Sequence, residues 1–558
     1  MVRRLIVLTL ALFLVAPPGQ AFAHAFGRSY DLPVPFWLYL FGASAVLLVS
    51  FVQIGLFVSA GHTLHLYPRF DLLRVGPLRT LLTARPLLFG LRLLAVALFV
   101  LIIFSGLLGK QNTDHNFAPT FVWITWWVGF SFFTAFVGNL WPLVNPWKVI
   151  FEWANSLVRR LGFQNGLELN EPYPPNWGVW PAVALYAIFV WGENLYAGSS
   201  VPRDIAFFAF NYSFLAWGGM VVFGKEAWLQ RGEAFSVFFG LLGRFAPTEV
   251  RVTNPKICQD CSSDCGSVEG GCVNCYACFA QAPLEDRELN LRPWAVGLAR
   301  QELVPPGGVF FVIFVLAAVA FDSLLETPQW ARLEYLTSIP KTLGLVVLPL
   351  FYLTIYLGFM KLSQLFASAH LAGASLGFAK PSQLFGRRYA RFRGYVPVRR
   401  LAAAYVYTLV PIAIAYQLAH YYTYLLVQGQ AIIALISDPF GWGWDLFGTA
   451  DYKINAGLIG AGFVWYSQVA LIVAGHVVAV YLAHIVALRL LGDSRLAMRS
   501  QYPILALMIL YTVFSLWILS QPIATQNTEN TTKSPPQSNP TKDIRPPLPD
   551  LPSDNAAP

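Results

Sequence analysis

Glu193, Asp322, His420 and His476 each interrupt a run of apolar residues long enough to cross a bilayer. Ionisable groups at such depth are costly, and they usually mark function. Glu193, Asp322 and His420 together form a mixed imidazole and carboxylate set, which suits a divalent ion such as zinc, manganese or iron. An ion held there would lower the pKa of bound water enough to make hydroxide near neutral pH. His115, beside Asp114 in a short loop, joins the candidate set, and so does His24, whose imidazole and amine could chelate a metal if cleavage makes it the N-terminus. The competing reading is a group of paired structural polar side chains, with Asp322 reaching along its helix toward water.

A second constellation is the cysteine run. All six cysteines fall in one loop, as Cys258-x2-Cys261-x3-Cys265-x6-Cys272-x2-Cys275-x2-Cys278. The pairs Cys258 with Cys261 and Cys272 with Cys275 form two knuckles able to wrap a tetrahedral zinc. Cys272, Cys275 and Cys278 also echo part of an iron-sulfur ligand run, although a fourth cysteine and a following proline are not at the usual offset. Redox-active thiols are the third reading. A reducing compartment favours metal, whereas the opposite topology would favour three disulfides.

The elements that must position these groups are membrane helices. The chain of 558 residues is 56% hydrophobic and 12% charged, with mean hydropathy +0.54, which places it among polytopic membrane proteins. Its net charge of +9 does not point to nucleic acid, because the arginines gather in short loops between apolar runs. Residues 1–23 carry Arg3 and Arg4, an apolar core from Leu5 to Val15, and Ala21-Phe22-Ala23, the pattern of a secretory signal peptide. Ten spans are expected, near residues 34–60, 86–108, 118–141, 178–198, 203–224, 306–326, 341–367, 401–427, 459–488 and 501–520. The fold class is thus an all-α polytopic bundle in a bacterial inner membrane.

With the mature N-terminus outside, every loop expected to be cytoplasmic is basic, Arg387 to Arg400 most of all. Counting along the spans then brings Glu193, Asp322 and His420 to a similar depth near the outer face, with His476 nearer mid-membrane and His484 about two turns deeper. Residues 24–246 form a first membrane domain that includes an amphipathic inner-surface helix near Glu226 to Phe245. Residues 247–303 form the cysteine-rich cytoplasmic loop, residues 304–520 the second membrane domain, and residues 521–558 a Pro-rich disordered tail outside. The outer segment 428–458 contains Ser437-Asp438-Pro439 and Trp442-Gly443-Trp444-Asp445, suited to a lid from which Asp438 and Asp445 reach the cavity.

Several segments resemble a known family. His24-Ala25-Phe26-Gly27 with Asp31-Leu32-Pro33-Val34-Pro35, Asn116-Phe117-Ala118-Pro119-Thr120-Phe121-Val122, Asn145-Pro146-Trp147, Gly232-Glu233-Ala234-Phe235-Ser236-Val237, Ser437-Asp438-Pro439 and Trp444-Asp445-Leu446-Phe447-Gly448-Thr449 are similar to segments of bacterial fenitrothion hydrolases. The likeness runs from the mature N-terminus to the ninth span, while the cysteine loop is not a feature of all members. The resemblance implies hydrolysis of organophosphorus triesters, apolar molecules that partition into lipid, and a second membrane subunit as partner. On that reading His115, Glu193, Asp322 and His420 are metal ligands or general bases, with His24 and His476 in reserve. Two other classes compete: an electron-transfer or metal-handling protein with haem on His420 and His476, and an ion-coupled transporter.

Overall fold

The computed structural model describes residues 35–58, 67–258, 271–299, 304–337, 340–374 and 396–521. The signal peptide, His24, Cys261, Cys265 and the Pro-rich tail lie outside the described residues, as does the side chain of Cys258.

Among the described residues, eight helices are long and apolar enough to cross a membrane. We label the helices used below α1 (Phe36–Phe57), α2 (Arg85–Leu108), α3 (Pro146–Arg160), α4 (Trp180–Asn194), α5 (Pro202–Phe223), α6 (Lys225–Arg231), α7 (Ala234–Phe245), α8 (Pro306–Leu325), α9 (Lys341–Ala374), α10 (Val410–Val427), α11 (Ala461–Leu491) and α12 (Ser494–Leu519). The two other expected spans are present as helix but differ in form. The third is composite, Phe117–Pro119 leading into an 11-residue π-helix, Thr120–Phe130, and then Ser131–Phe136. The fourth, α4, has 15 residues. The architecture is the expected all-α membrane bundle.

The core forms where apolar helices meet all round rather than along one stripe. In α8, Phe311 to Phe321 is continuously buried, as suits a central helix whose neighbours replace lipid. Helices α10 and α11 touch closely, since a Cβ on Gly475 would come within 2.3 Å of the Ala415 Cβ. Small residues permit this approach and the dispersion contacts that hold helices together in lipid. The π-helix turns its tryptophans inward: Trp126 meets Phe235 at 4.8 Å and Trp127 meets Phe189 at 4.6 Å and Phe238 at 4.9 Å.

The expected inner-surface helix divides at Gly232-Glu233 into α6 and α7. Glu233 caps α7, its carboxylate accepting from the Phe235 and Ser236 amides at 2.9 and 2.7 Å, and Phe235, Phe238 and Phe239 are buried in the core. Thus α7 is an inserted packing element and does not float on the interface.

The cysteine-bearing loop folds into a small lobe. Its antiparallel sheet has order β1-β4-β2-β3, comprising β1 (Phe70–Asp71), β2 (Thr248–Val252), β3 (Cys272–Val273) and β4 (Arg287–Leu291). Thr248 pairs with Leu291 and Val252 with Arg287, while β1 comes from the loop after α1. At its centre Glu249 receives Arg292 at 2.7 Å, Arg251 at 3.1 Å and the Tyr67 hydroxyl, so each buried charge has a counterpart.

Candidate functional site

Three helices and the π-helix bring the expected residues together. Asp322 is three residues from the end of α8, and His420 is seven from the end of α10. The His420 Nε2 lies 3.0 Å from the Asp322 Oδ2, and the adjacent Tyr421 hydroxyl donates to that same oxygen. On the other edge of the ring, Nδ1 lies 3.1 Å from the Ser323 Oγ, while Ser323 donates back to the Val319 carbonyl at 3.2 Å. Nε2 faces a carboxylate that only accepts, so it carries a proton toward Asp322, and the Ser323 hydroxyl is a partner for Nδ1 in either of its protonation states.

Glu193, on α4, accepts from the Trp127 indole of the π-helix and lies within electrostatic range of Asp322. Glu326, one turn beyond Asp322, is in range of both Asp322 and His420. Between Glu193 and Tyr421 is a cavity also lined by Trp127, Tyr186, Asn194 and Gln417, with about 10 Å³ of free space, about enough for one water. The Gln417 Nε2 is buried without a hydrogen-bond partner among the described residues, which leaves a donor for such a water.

Glu193, Asp322 and His420 thus converge, and the remaining expected residues do not join them. His115 is exposed in the loop before the π-helix, where its carbonyl lies against Gly441. Asp438 accepts from the Trp442 and Gly443 amides at 2.9 and 2.7 Å, and Asp445 from Ala450 at 3.0 Å. Both carboxylates are occupied in shaping turns of their own loop, and neither reaches the cavity. His476 is buried, with Nδ1 at 2.8 Å from the Ile472 carbonyl, and His484 is bound between Gln501 and the Val58 carbonyl. The close approach of α10 and α11 at Gly475 leaves no gap for a porphyrin between them, which removes the packing basis for a haem on His420 and His476.

Among the described residues, one group of three such donors has its ligand atoms within 4.8 Å of one another: Cys272, Cys275 and Cys278, all buried. The carboxylate and histidine cluster is presented as a hydrogen-bonded pair with neighbours and not as a ready metal cage. Cys272 is disulfide-bonded, and its Sγ is 3.8 Å from that of Cys278. Two chemistries therefore compete for these sulfurs. Reduced, they are three converging thiolates able to hold a metal; oxidised, Cys272 leaves the ligand set.

Among the described residues, four of the segments that carry the family resemblance meet in pairs. Asn116 is buried, its amide donating to the Ser105 and Lys110 carbonyls at 2.8 Å each, and Phe117 donates to the Pro439 carbonyl at 3.1 Å. Asn145 caps α3 and contacts the Glu233 carboxylate at 3.4 Å. These motifs form two joints of the scaffold. No protein-family model, curated protein or solved structure matches the chain.

Proposed function

We propose that the protein is a membrane hydrolase of apolar phosphoric triesters, with its reaction centre at the cavity between Glu193 and Tyr421. The observation that carries this reading is the shared cavity: a carboxylate and an orphaned amide on a water-sized space, with a phenol backed by the Asp322–His420 pair on the other side. The resemblance to fenitrothion hydrolases supplies the substrate class. Glu193 takes a proton from water held by Gln417, the water oxygen bonds to phosphorus, and the bond from phosphorus to the aryloxide breaks. Tyr421 gives its proton to the leaving oxygen and recovers one through Asp322 and His420. Because the space admits about one water, the substrate must displace side chains from the lipid side as it binds.

The test is release of nitrophenolate from a fenitrothion-type triester by the purified protein in lipid vesicles. Glu193→Gln is expected to lower kcat by about 10²–10⁴-fold. Tyr421→Phe should slow substrates with poor leaving groups more than those with good ones. Equal release by wild type and Glu193→Gln would defeat the reading.

A second reading, proton-coupled transport, has its own observation. The Tyr511 hydroxyl is buried without a hydrogen-bond partner among the described residues, and the buried Tyr405 and Tyr416 hydroxyls face Ser500 and Ser323. Tyr352 stacks on Tyr511 at 5.4 Å and lies in electrostatic range of Tyr416, and Tyr356 is in range of Tyr511 and Tyr405. Proton uptake into vesicles that falls in Tyr511→Phe, with ester hydrolysis absent, would select transport.

The finer readings of the cysteine group, zinc or an iron-sulfur cluster, belong here too. Zinc without visible absorption favours the structural site, and charge-transfer bands that bleach on reduction favour iron and sulfide.

A further inference from the structure

The loop that follows Ser437 turns its polar groups inward and its apolar ones outward. The Asp438 and Asp445 carboxylates are bonded to amides of the loop itself. The Ser437 Oγ accepts from the Phe447 and Thr449 amides at 3.2 and 3.3 Å, and the Thr449 hydroxyl donates to the Ile433 carbonyl at 2.7 Å. Gly441, at φ +70°, lies so close to the neighbouring loop that a Cβ there would meet the His115 carbonyl at 2.4 Å. The loop is held both from within and from that side.

What it presents is aromatic. Phe440 stacks on Trp442 at 4.4 Å, and Trp444 meets Trp442 edge-on at 5.1 Å and Phe440 at 5.5 Å. Trp442 is 50% exposed, Trp444 41%, Leu446 59% and Phe447 67%. A surface bathed in water rarely exposes such a run of large apolar side chains. Neither indole N–H has a protein acceptor among the described residues, so each tryptophan joins an apolar body to a donor still to be satisfied.

Backbone hydrogen bonds fix where this cluster lies along the bundle. The Phe440 carbonyl accepts from Lys110, just past the end of α2, at 2.8 Å, and the Pro439 carbonyl from Phe117, where the third span begins, at 3.1 Å. The apolar crossing that contains α10 runs on to Ser437. The rings are therefore bonded to the ends of three spans. On α2, Phe104, Leu107 and Leu108 are exposed, so a surface suited to lipid continues up to Lys110.

We infer that Phe440, Trp442 and Trp444, with Leu446 and Phe447, form an interfacial anchor that seats in the glycerol and headgroup layer of one membrane leaflet. Tryptophan favours that depth because its ring meets the tops of the acyl chains while its N–H meets ester or phosphate oxygens. The hydrocarbon core has no acceptor for the two indoles, and bulk water leaves the apolar side chains exposed. Through Lys110 and Phe117 the anchor sets the depth of the third span, the element that carries Trp127 to Glu193.

The test is fluorine NMR of the full chain labelled with fluorotryptophan in phosphatidylcholine nanodiscs, the two resonances being assigned with Trp442→Phe and Trp444→Phe. Three broadening agents read depth: a lipid with a nitroxide near the top of its acyl chain, a lipid with the nitroxide at the chain end, and a water-soluble gadolinium chelate. Both resonances should lose most intensity to the first. Greatest loss to the chelate would leave the loop in water, and greatest loss to the chain-end nitroxide would place it in the hydrocarbon core; either overturns the proposal. Insensitivity to all three would mean that protein, a second copy or a partner, covers the rings, and overturns it as well. The variants serve only to assign resonances, so if one fails to fold the other tryptophan still decides.

Discussion

Asp322 accepts two donors on one oxygen, and that arrangement decides what its neighbours can do. The Tyr421 hydroxyl and the His420 Nε2 share Oδ2, so replacing Asp322 with Asn changes both at once. Asp322→Asn is expected to lower triester hydrolysis about as much as Tyr421→Phe and His420→Gln combined, because the three act as one chain. Additive losses in the multiple variants would argue that the groups work separately. A second residue-scale expectation concerns Glu152. Burial would raise its pKa, but Lys148, Lys225 and Arg92 overrule burial and hold it below the ordinary 4.5. Stability from this carboxylate is therefore complete above pH 4.5 and is lost as pH falls through the lowered folded value. In detergent, wild type should lose thermal stability in that acid window, and Glu152→Gln should be less stable at neutral pH by about 1–3 kcal/mol but flatter against acid. Glu193, Asp322 and His420 are legible in the sequence because a charge in an apolar run stands out. Tyr421, Ser323, Gln417 and Trp127 are not, because such residues are common in spans and their roles appear only once helices pack.

At the scale of elements, hydropathy locates each span but not its hydrogen-bond pattern. The third span reads as an ordinary apolar run, yet Thr120–Phe130 adopts i→i+5 bonding and thereby faces Trp127 toward Glu193. Periodicity near 3.6 cannot reveal this, since the segment is apolar on every side. The lobe is similarly hidden. Its first strand, Phe70–Asp71, lies more than 170 residues before β2, and two residues carry no readable strand signal. The buried Glu249 with Arg251 and Arg292 is the joint that holds this distant strand order. Glu249→Ala is expected to cost the lobe about 3–5 kcal/mol, because two guanidiniums are left without their common carboxylate. Limited proteolysis in lipid vesicles should then cut near residues 253–290 much faster than in wild type. Unchanged cleavage would show that the sheet does not depend on the charge cluster.

For the whole molecule, orientation links both sites to their chemistry. The chain enters α8 from the cysteine lobe and reaches Asp322 three residues before the far end of that helix, and the Asp438 loop follows α10. If charge sets orientation, the lobe faces the cytoplasm, a reducing compartment in which three converging thiolates hold metal more readily than they form disulfides. The opposite orientation would expose the same sulfurs to oxidants and make the Cys272 disulfide their resting state. Lys453 and Lys256 are exposed and lie on opposite ends, so single cysteines placed there read the direction. In a background with the six native cysteines changed to serine, an impermeant maleimide should label Lys453→Cys in intact cells, and Lys256→Cys only after the membrane is opened. Wild-type protein purified anaerobically should then carry about one metal centre per chain, lost in Cys275→Ser. Reversed labelling with a metal-free, disulfide-bonded lobe would place Glu193, Asp322 and His420 at the cytoplasmic end. It would also move the cysteine lobe to the outer face, so one labelling experiment orders both the lobe and the cluster across the membrane.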